Sequence, residues 1–459
     1  VNPDTAETLA VQRRDAVALP LGSLRADVAR MQAVRDSWRA LWTSRLIVWA
    51  AGVGYVLLAG PGPLRHVFNP PGVTAGFGWL GDRLAAPAAR WDAPWYLVIA
   101  QHGYSPQLGL ATSARAAFFP LYPLLVGLVG SLGIPLVIAG VAISVAALAA
   151  ALYGLHRLTT LELGAATSFA PGEAARLAVL ATALFPMAFF LSAVYSESVY
   201  LALSIGVFWC ARQGRWTQAC LLGAFAAATR SAGIVLVVPI VLLYLYGPRA
   251  DRRPDWPRVA AGRVAALLPR YRPRPDLLWL ALVPAGLAAY LGYLKLSGGQ
   301  ATMPFHAQEV WHRDFAGPFM AVRDAAVAAA QGMRQLVTMQ RHVAYFPAAG
   351  RDPLIAAEHN VLLFGFLLAA VPAVVGVFRR LPLAYGAYVI VALAMPLSYP
   401  VADQPLMSLP RFELVLFPLA IWAGAWLAER PRARAPLLGV SALGLCLFVA
   451  QFATWHWVA

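Results

Sequence analysis

The chain has 459 residues, of which 60% are hydrophobic and 12% charged, with a mean hydropathy of +0.63. That balance excludes an ordinary soluble domain, because apolar runs of membrane-spanning length recur along the chain and one water-soluble core could not bury them all. The net charge of +15 comes almost wholly from arginine and crowds into short segments between apolar runs, the positive-inside pattern of a membrane protein and not a nucleic-acid surface.

Leu24, Val28, Met31, Trp38 and Leu41 fall at roughly helical spacing, with Arg25, Arg30, Arg35 and Arg39 between them. They predict, within residues 1–44, an amphipathic helix on the anionic cytoplasmic leaflet, with a solvated basic tail as the alternative. The first apolar run begins only near Leu46, so no signal peptide is expected. Residues 45–459 read as a single integral-membrane domain.

A first span over residues 45–60 leads to an external loop, 61–133, rich in Pro and Gly. Its piece Phe118–Leu132 is apolar but short, with Pro120 and Pro123 at its start, which suits an interfacial or re-entrant helix. Further spans are expected near 134–156, 175–194, 198–212, 216–230, 232–247 and 277–296. After a second external loop, 297–355, the last four lie near 357–378, 383–400, 412–428 and 436–454. The total is about 11, because a crossing at 118–132 would turn every later basic loop to the wrong side. The Arg-rich loop 248–276 is then cytoplasmic, as are Arg379-Arg380 and the turn 429–434. Cys210, Cys220 and Cys446 all lie in apolar segments and read as core residues, with no disulfide framework.

Three polar clusters fall on the external side, and ionisable residues near a bilayer are functional candidates by default. In Arg90-Trp-Asp-Ala-Pro94, Asp92 is either the N-cap of a helix with Pro in its first turn or a reactive carboxylate. Ser196 and Ser198 can cap the helix that follows, and Glu197 suits its first turn. Arg230 lies between two apolar runs with no sequence-near carboxylate; it either snorkels or meets an anion such as a phosphate. His306, Glu309 and His312 have a spacing a metal could use, although polar loop surface is the commoner reading. Arg411 marks an interface or binds phosphate.

The run Arg90-Trp-Asp-Ala with Tyr96-Leu97, Ile99-Ala100 and Gly103-Tyr104, then Ala117-Phe-Phe-Pro-Leu-Tyr-Pro-Leu-Leu125, resembles the PIG-V-like mannosyltransferases. Phe185-Pro186 followed by Tyr195-Ser-Glu-Ser198, and then Arg230-Ser-Ala-Gly233, are similar to two later motifs of that family. The likeness covers residues 90–235. It implies a GT-C-type all-α membrane fold and an acidic residue of the first external loop serving catalysis. It also implies transfer of mannose from a polyprenyl-phosphate donor. The nearly Lys-free, Arg- and Ala-rich composition points to a GC-rich bacterium and its plasma membrane, which leaves the acceptor open among glycolipid, polysaccharide and protein.

The residues suit that chemistry. A polyprenyl-phosphate sugar carries its own leaving group, so inverting transfer needs one base for the acceptor hydroxyl and cations for the departing phosphate. A glycosidase would more usually show paired carboxylates. Asp92 is the expected base, with Arg230, Arg411 and Arg90 on the donor phosphate. Glu197, Tyr195, Ser196, His102, Tyr104, His306 and Gln308 are expected to contact sugar or acceptor hydroxyls. No metal or other cofactor is expected. The expected partners are the lipid-linked sugar donor, membrane lipids and a hydroxyl acceptor. The competing reading is a transporter or a flippase for lipid or lipid-linked sugar.

Overall fold

The computed structural model describes the backbone of residues 21–60, 62, 70, 73–74, 78–104, 114–164, 171–255, 268–340 and 353–458. Parts of the expected segments 1–44, 61–133, 248–276 and 297–355 lie outside the described residues. The described chain is helical, and its only β-pairing consists of isolated bridges, Arg313 with Val401 and Val401 with Gln404.

The first helix, α1 (Leu21–Ala59), runs through the expected boundary at 44/45. No break separates an amphipathic segment from the first span at 44/45, and no Gly or Pro lies between Leu24 and Ala51 to make one. At 1.5 Å per residue α1 is roughly 58 Å long, well beyond a bilayer's hydrocarbon core. Its N-terminal half packs on the bundle: buried Asp36 meets His156 at 3.4 Å on α5 (Leu136–Leu163). The segment 61–133 holds α2 (Gly78–Leu84), α3 (Ala93–His102) and α4 (Leu121–Gly130). Helix α4 has ten residues, too few to cross, as its prolines and length predict.

Then follow α6 (Pro171–Ala183), α7 (Glu197–Arg212) and α8 (Trp216–Thr229). Helix α9 (Val237–Tyr246) has a 3-10 lead from Ser231, and α10 (Leu282–Leu296) one from Pro275. The segment 297–355 carries α11 (Met303–His306) and the amphipathic α12 (Pro318–Thr338). The chain closes with α13 (Pro353–Arg380), α14 (Leu383–Leu397), α15 (Leu409–Leu414), α16 (Phe417–Ala428) and α17 (Pro431–Ala453).

Among the described residues five helices are long and apolar enough to cross a membrane: Asp27–Ala59, Leu136–Leu163, Pro275–Leu296, Pro353–Arg380 and Pro431–Ala453. The other six expected spans are shorter helices, so the expected total of 11 is not established by helix length. They are short because the chain breaks inside the bundle. Helix α6 ends ahead of Pro186, α8 ends at Arg230, and α14 gives way to the loop 398–408. Irregular backbone at such depth persists only where protein buries it. Tyr195, Phe189, Phe190 and Phe452 pack around the first break, all buried.

Candidate active site

The three breaks bring charged residues together. Asp92 opens α3, but its carboxylate makes no cap hydrogen bond. It instead takes a hydrogen bond from Arg411 Nη1 at 2.7 Å, which removes the capping reading. Arg411 Nε also donates to Glu197 Oε1, and Arg230 Nη1 lies 2.6 Å from that same oxygen. The result is a chain of alternating charge, Asp92–Arg411–Glu197–Arg230, contributed by α3, α15, α7 and the α8–α9 break. Glu197 is wholly buried, Arg411 and Arg230 nearly so, and Asp92 is 23% exposed. Arg411 also stacks over Tyr195 at 4.6 Å and Phe190 at 5.0 Å, contacts a planar guanidinium makes well.

The local backbone explains how Asp92 is aimed. Trp91 has φ +59°, a region bulky residues rarely adopt, which costs about 1–3 kcal/mol and needs support. The Tyr195 hydroxyl supplies it, accepting from the Asp92 N–H at 3.0 Å and donating to the Arg90 carbonyl at 2.9 Å. The Trp91 ring packs edge-on against Trp455 and Trp457. Tyr96 joins the turn to the next motif, its hydroxyl 3.0 Å from Ser196 Oγ. Tyr195 and Ser196 thus hold the segment 61–133 to the α6–α7 break, buried and without an open face for a sugar.

Other expected residues lie elsewhere. Arg90 turns away from Asp92: its Nε donates to the Ala453 carbonyl at 3.2 Å, and its guanidinium sits 4.8 Å over Trp455. Burial pushes it down to about 10, with Asp82 opposing that shift. His102 ends α3, roughly 15 Å along the helix from Asp92. Tyr104 donates to the Phe118 carbonyl and packs on Tyr290 and Tyr293, a structural place. His306 is exposed, and Gln308 contributes its backbone carbonyl to the Arg313 N–H at 3.2 Å. Among the described residues no three His, Cys, Asp or Glu side chains gather as a metal site, so His306, Glu309 and His312 do not converge.

One residue escaped the sequence reading. Arg313, at the end of the polar cluster in segment 297–355, lies within charge–charge reach of Asp92 and Arg411. Its segment meets 61–133: Trp311 meets Phe118 edge-on at 5.9 Å, and Phe118 stacks on Trp95. No periodic pattern marks Arg313, and its only signal was being an arginine beside two histidines.

Fold and site together define a polytopic helical membrane protein with a buried carboxylate–arginine network at its helix breaks. Residues 66–246 match the family model described as Mannosyltransferase (PIG-V). Human GPI alpha-1,6-mannosyltransferase 2 is 33% identical over 180 residues, covering 38% of this chain and 35% of the relative. The rat protein of the same name is 32% identical over 183 residues, covering 37% and 35%. The chain thus spans about a third of the length of these curated relatives. Asp92, Glu197 and Arg230 lie inside the matched stretch, and Arg313 and Arg411 beyond it. A crystal structure of the Archaeoglobus fulgidus oligosaccharyltransferase aligns with a TM-score of 0.40 at 13% identity, over 91% of this chain and 55% of that one.

Proposed function

We propose that this protein is an inverting glycosyltransferase. It moves a sugar, mannose by kinship with the matched domain, from a polyprenyl-phosphate donor to an acceptor hydroxyl on the external face. The observation that carries this reading is the Asp92 carboxylate, part-exposed and aimed by a strained turn into a cluster of arginines. Its Oδ2 is held by Arg411, while Oδ1 has no hydrogen bond among the described residues and is available to an acceptor hydroxyl. In the reaction the acceptor O–H proton passes to Asp92 as that oxygen bonds the sugar's anomeric carbon. The bond from that carbon to the phosphate oxygen breaks, and its electron pair leaves with the phosphate. Arginines stabilise that charge where it develops. The chemistry requires no metal or other cofactor.

Two further observations fit. Helix α7 begins at Glu197 and ends, roughly 22 Å away, at Arg212, whose Nη1 donates to the Pro248 carbonyl at the start of the Arg-rich loop. The basic, cytoplasm-seeking side therefore lies opposite the carboxylates. Behind the turn that leads to Arg90 is an apolar cavity of about 380 Å³, lined by Trp49, Val53, Leu84 and Ile138 among others, suited to part of a hydrocarbon tail.

The test is turnover by purified protein with a short-chain polyprenyl-phosphate mannose and a bacterial lipid extract. Asp92→Asn keeps a group able to accept from Arg411, so it should fold normally yet transfer sugar about 10²-fold or more slowly. Full activity of Asp92→Asn removes the base assignment. A wild type that transfers nothing from any lipid-phosphate donor, but carries substrate across liposomes, removes the transferase reading.

A further inference from the structure

Among the described residues, the ion pairs around Asp92 leave one cation over. Glu197 meets Arg230 and Arg411, and Asp92 meets Arg411, so two carboxylates balance two guanidinium groups. Arg313 lies within charge–charge reach of Asp92 and Arg411. Among the described residues its side chain makes one hydrogen bond, from Nη2 to the Met407 carbonyl at 3.3 Å. That is a long, neutral contact for a group with five N–H donors. Burial pushes its guanidinium down to about 10, and Asp92 only partly opposes this. Yet the residue keeps partial exposure, so it lies deep but open on one side.

Its placement is enforced. His312, directly before it, has φ +53°. The Arg313 N–H binds the Gln308 carbonyl, and its backbone pairs with Val401. Ala316 N–H binds the Ser398 carbonyl at 2.9 Å and fastens the segment 297–355 to the stretch leading to Arg411. A part-buried cation short of partners, on a backbone held in a costly conformation, is arranged to receive an anion.

We propose that Arg313 is the principal ligand of the donor phosphate, and that Arg411 joins it only as sugar transfer proceeds. This rests on the glycosyl-transfer reading above. Charge conservation gives the sequence of events. The donor phosphodiester brings one negative charge, matching the surplus that Arg313 supplies. During transfer Asp92 takes the acceptor proton and becomes neutral. The leaving phosphate gains the electron pair of the broken bond and one more negative charge. Arg411 loses its charged partner at Asp92 as the phosphate acquires need of one, and can turn toward it while Glu197 still holds Arg230. Charge moves from Asp92 to phosphate without leaving the network.

The probe is farnesyl phosphate, an analogue of the lipid-phosphate product, titrated into the full-length protein in detergent and followed by calorimetry. Arg313→Gln should weaken its binding about tenfold or more, the loss of a charge-assisted contact. The donor KM should rise in parallel and the acceptor KM stay unchanged. Arg313→Lys, which keeps the charge without the planar fork, should recover part of the affinity. Arg323→Gln, on the exposed face of α12, should bind as wild type does. Equal binding by wild type and Arg313→Gln overturns the proposal and leaves glycosyl transfer standing. No saturable binding by wild type overturns the proposal and the lipid-phosphate donor together. If Arg313→Gln unfolds early, Arg313→Lys decides: a raised donor KM supports the proposal, and an unchanged one overturns it.

Discussion

Glu197 shows how a residue can be found in the sequence and its task misread. Its motif marks it, and its chemistry suits a sugar hydroxyl, but the structure surrounds it with arginines and closes it off from solvent. One carboxylate oxygen faces both guanidinium groups, and Oε2 has no hydrogen-bond partner among the described residues. Removing one member of a buried ion network leaves the remaining charges uncompensated, at about 3–5 kcal/mol. Glu197→Gln should therefore unfold at a clearly lower temperature in detergent and lose activity with it. A residue that only touched the sugar would change KM and leave unfolding where it was, so a wild-type melting curve for this variant would sink the positioning role. Tyr195 and Ser196 belong to the same lesson. Their side chains hold the Trp91–Asp92 turn, a function visible only once the α6–α7 break lies against α3.

At the scale of elements, the breaks between helices matter more than the helices. Hydropathy located the apolar segments because side-chain composition alone sets it. It also identified Phe118–Leu132 as too short and too proline-rich to cross, and the structure has a ten-residue helix there. Continuity is less visible in sequence: the unbroken α1 needed only the absence of helix breakers, yet its charge pattern suggested two pieces. At the α8–α9 break the reason for a glycine is physical. A Cβ on Gly233 would fall 2.2 Å from backbone atoms of Ala226 and Ala227, since the chain doubles back against α8 directly after Arg230. Gly233→Ala should cost at least about 1–3 kcal/mol by forced backbone movement and lower activity by displacing Arg230. Gly292→Ala, on α10 with open space around it, is the matched control and should be neutral or slightly stabilising. Equal thermal unfolding of the two variants would show that the close approach is not needed.

Across the whole molecule, the arrangement predicts a sided protein. Ser297→Cys, exposed at the end of α10, should react with a membrane-impermeant thiol reagent on intact cells. Arg253→Cys in the Arg-rich loop should react only after permeabilisation, and Cys210 and Cys220 are buried and should stay silent. The reverse pattern would place the carboxylates in the cytoplasm and end the external-face reading, although the network itself would stand. The amino-acid sequence by itself determined the helical membrane class, the basic segments between apolar runs, the family likeness and the candidacy of Asp92, Arg230 and Arg411. Each follows from composition, local spacing or a contiguous motif. Only the tertiary structure decided that Asp92 meets Arg411 across 319 positions, that Arg90 faces away, that Glu197 lies buried between two guanidinium groups, and that Arg313 comes within charge–charge reach of Asp92. Those facts depend on where separate breaks in separate helices come level, and packing of the whole bundle sets that.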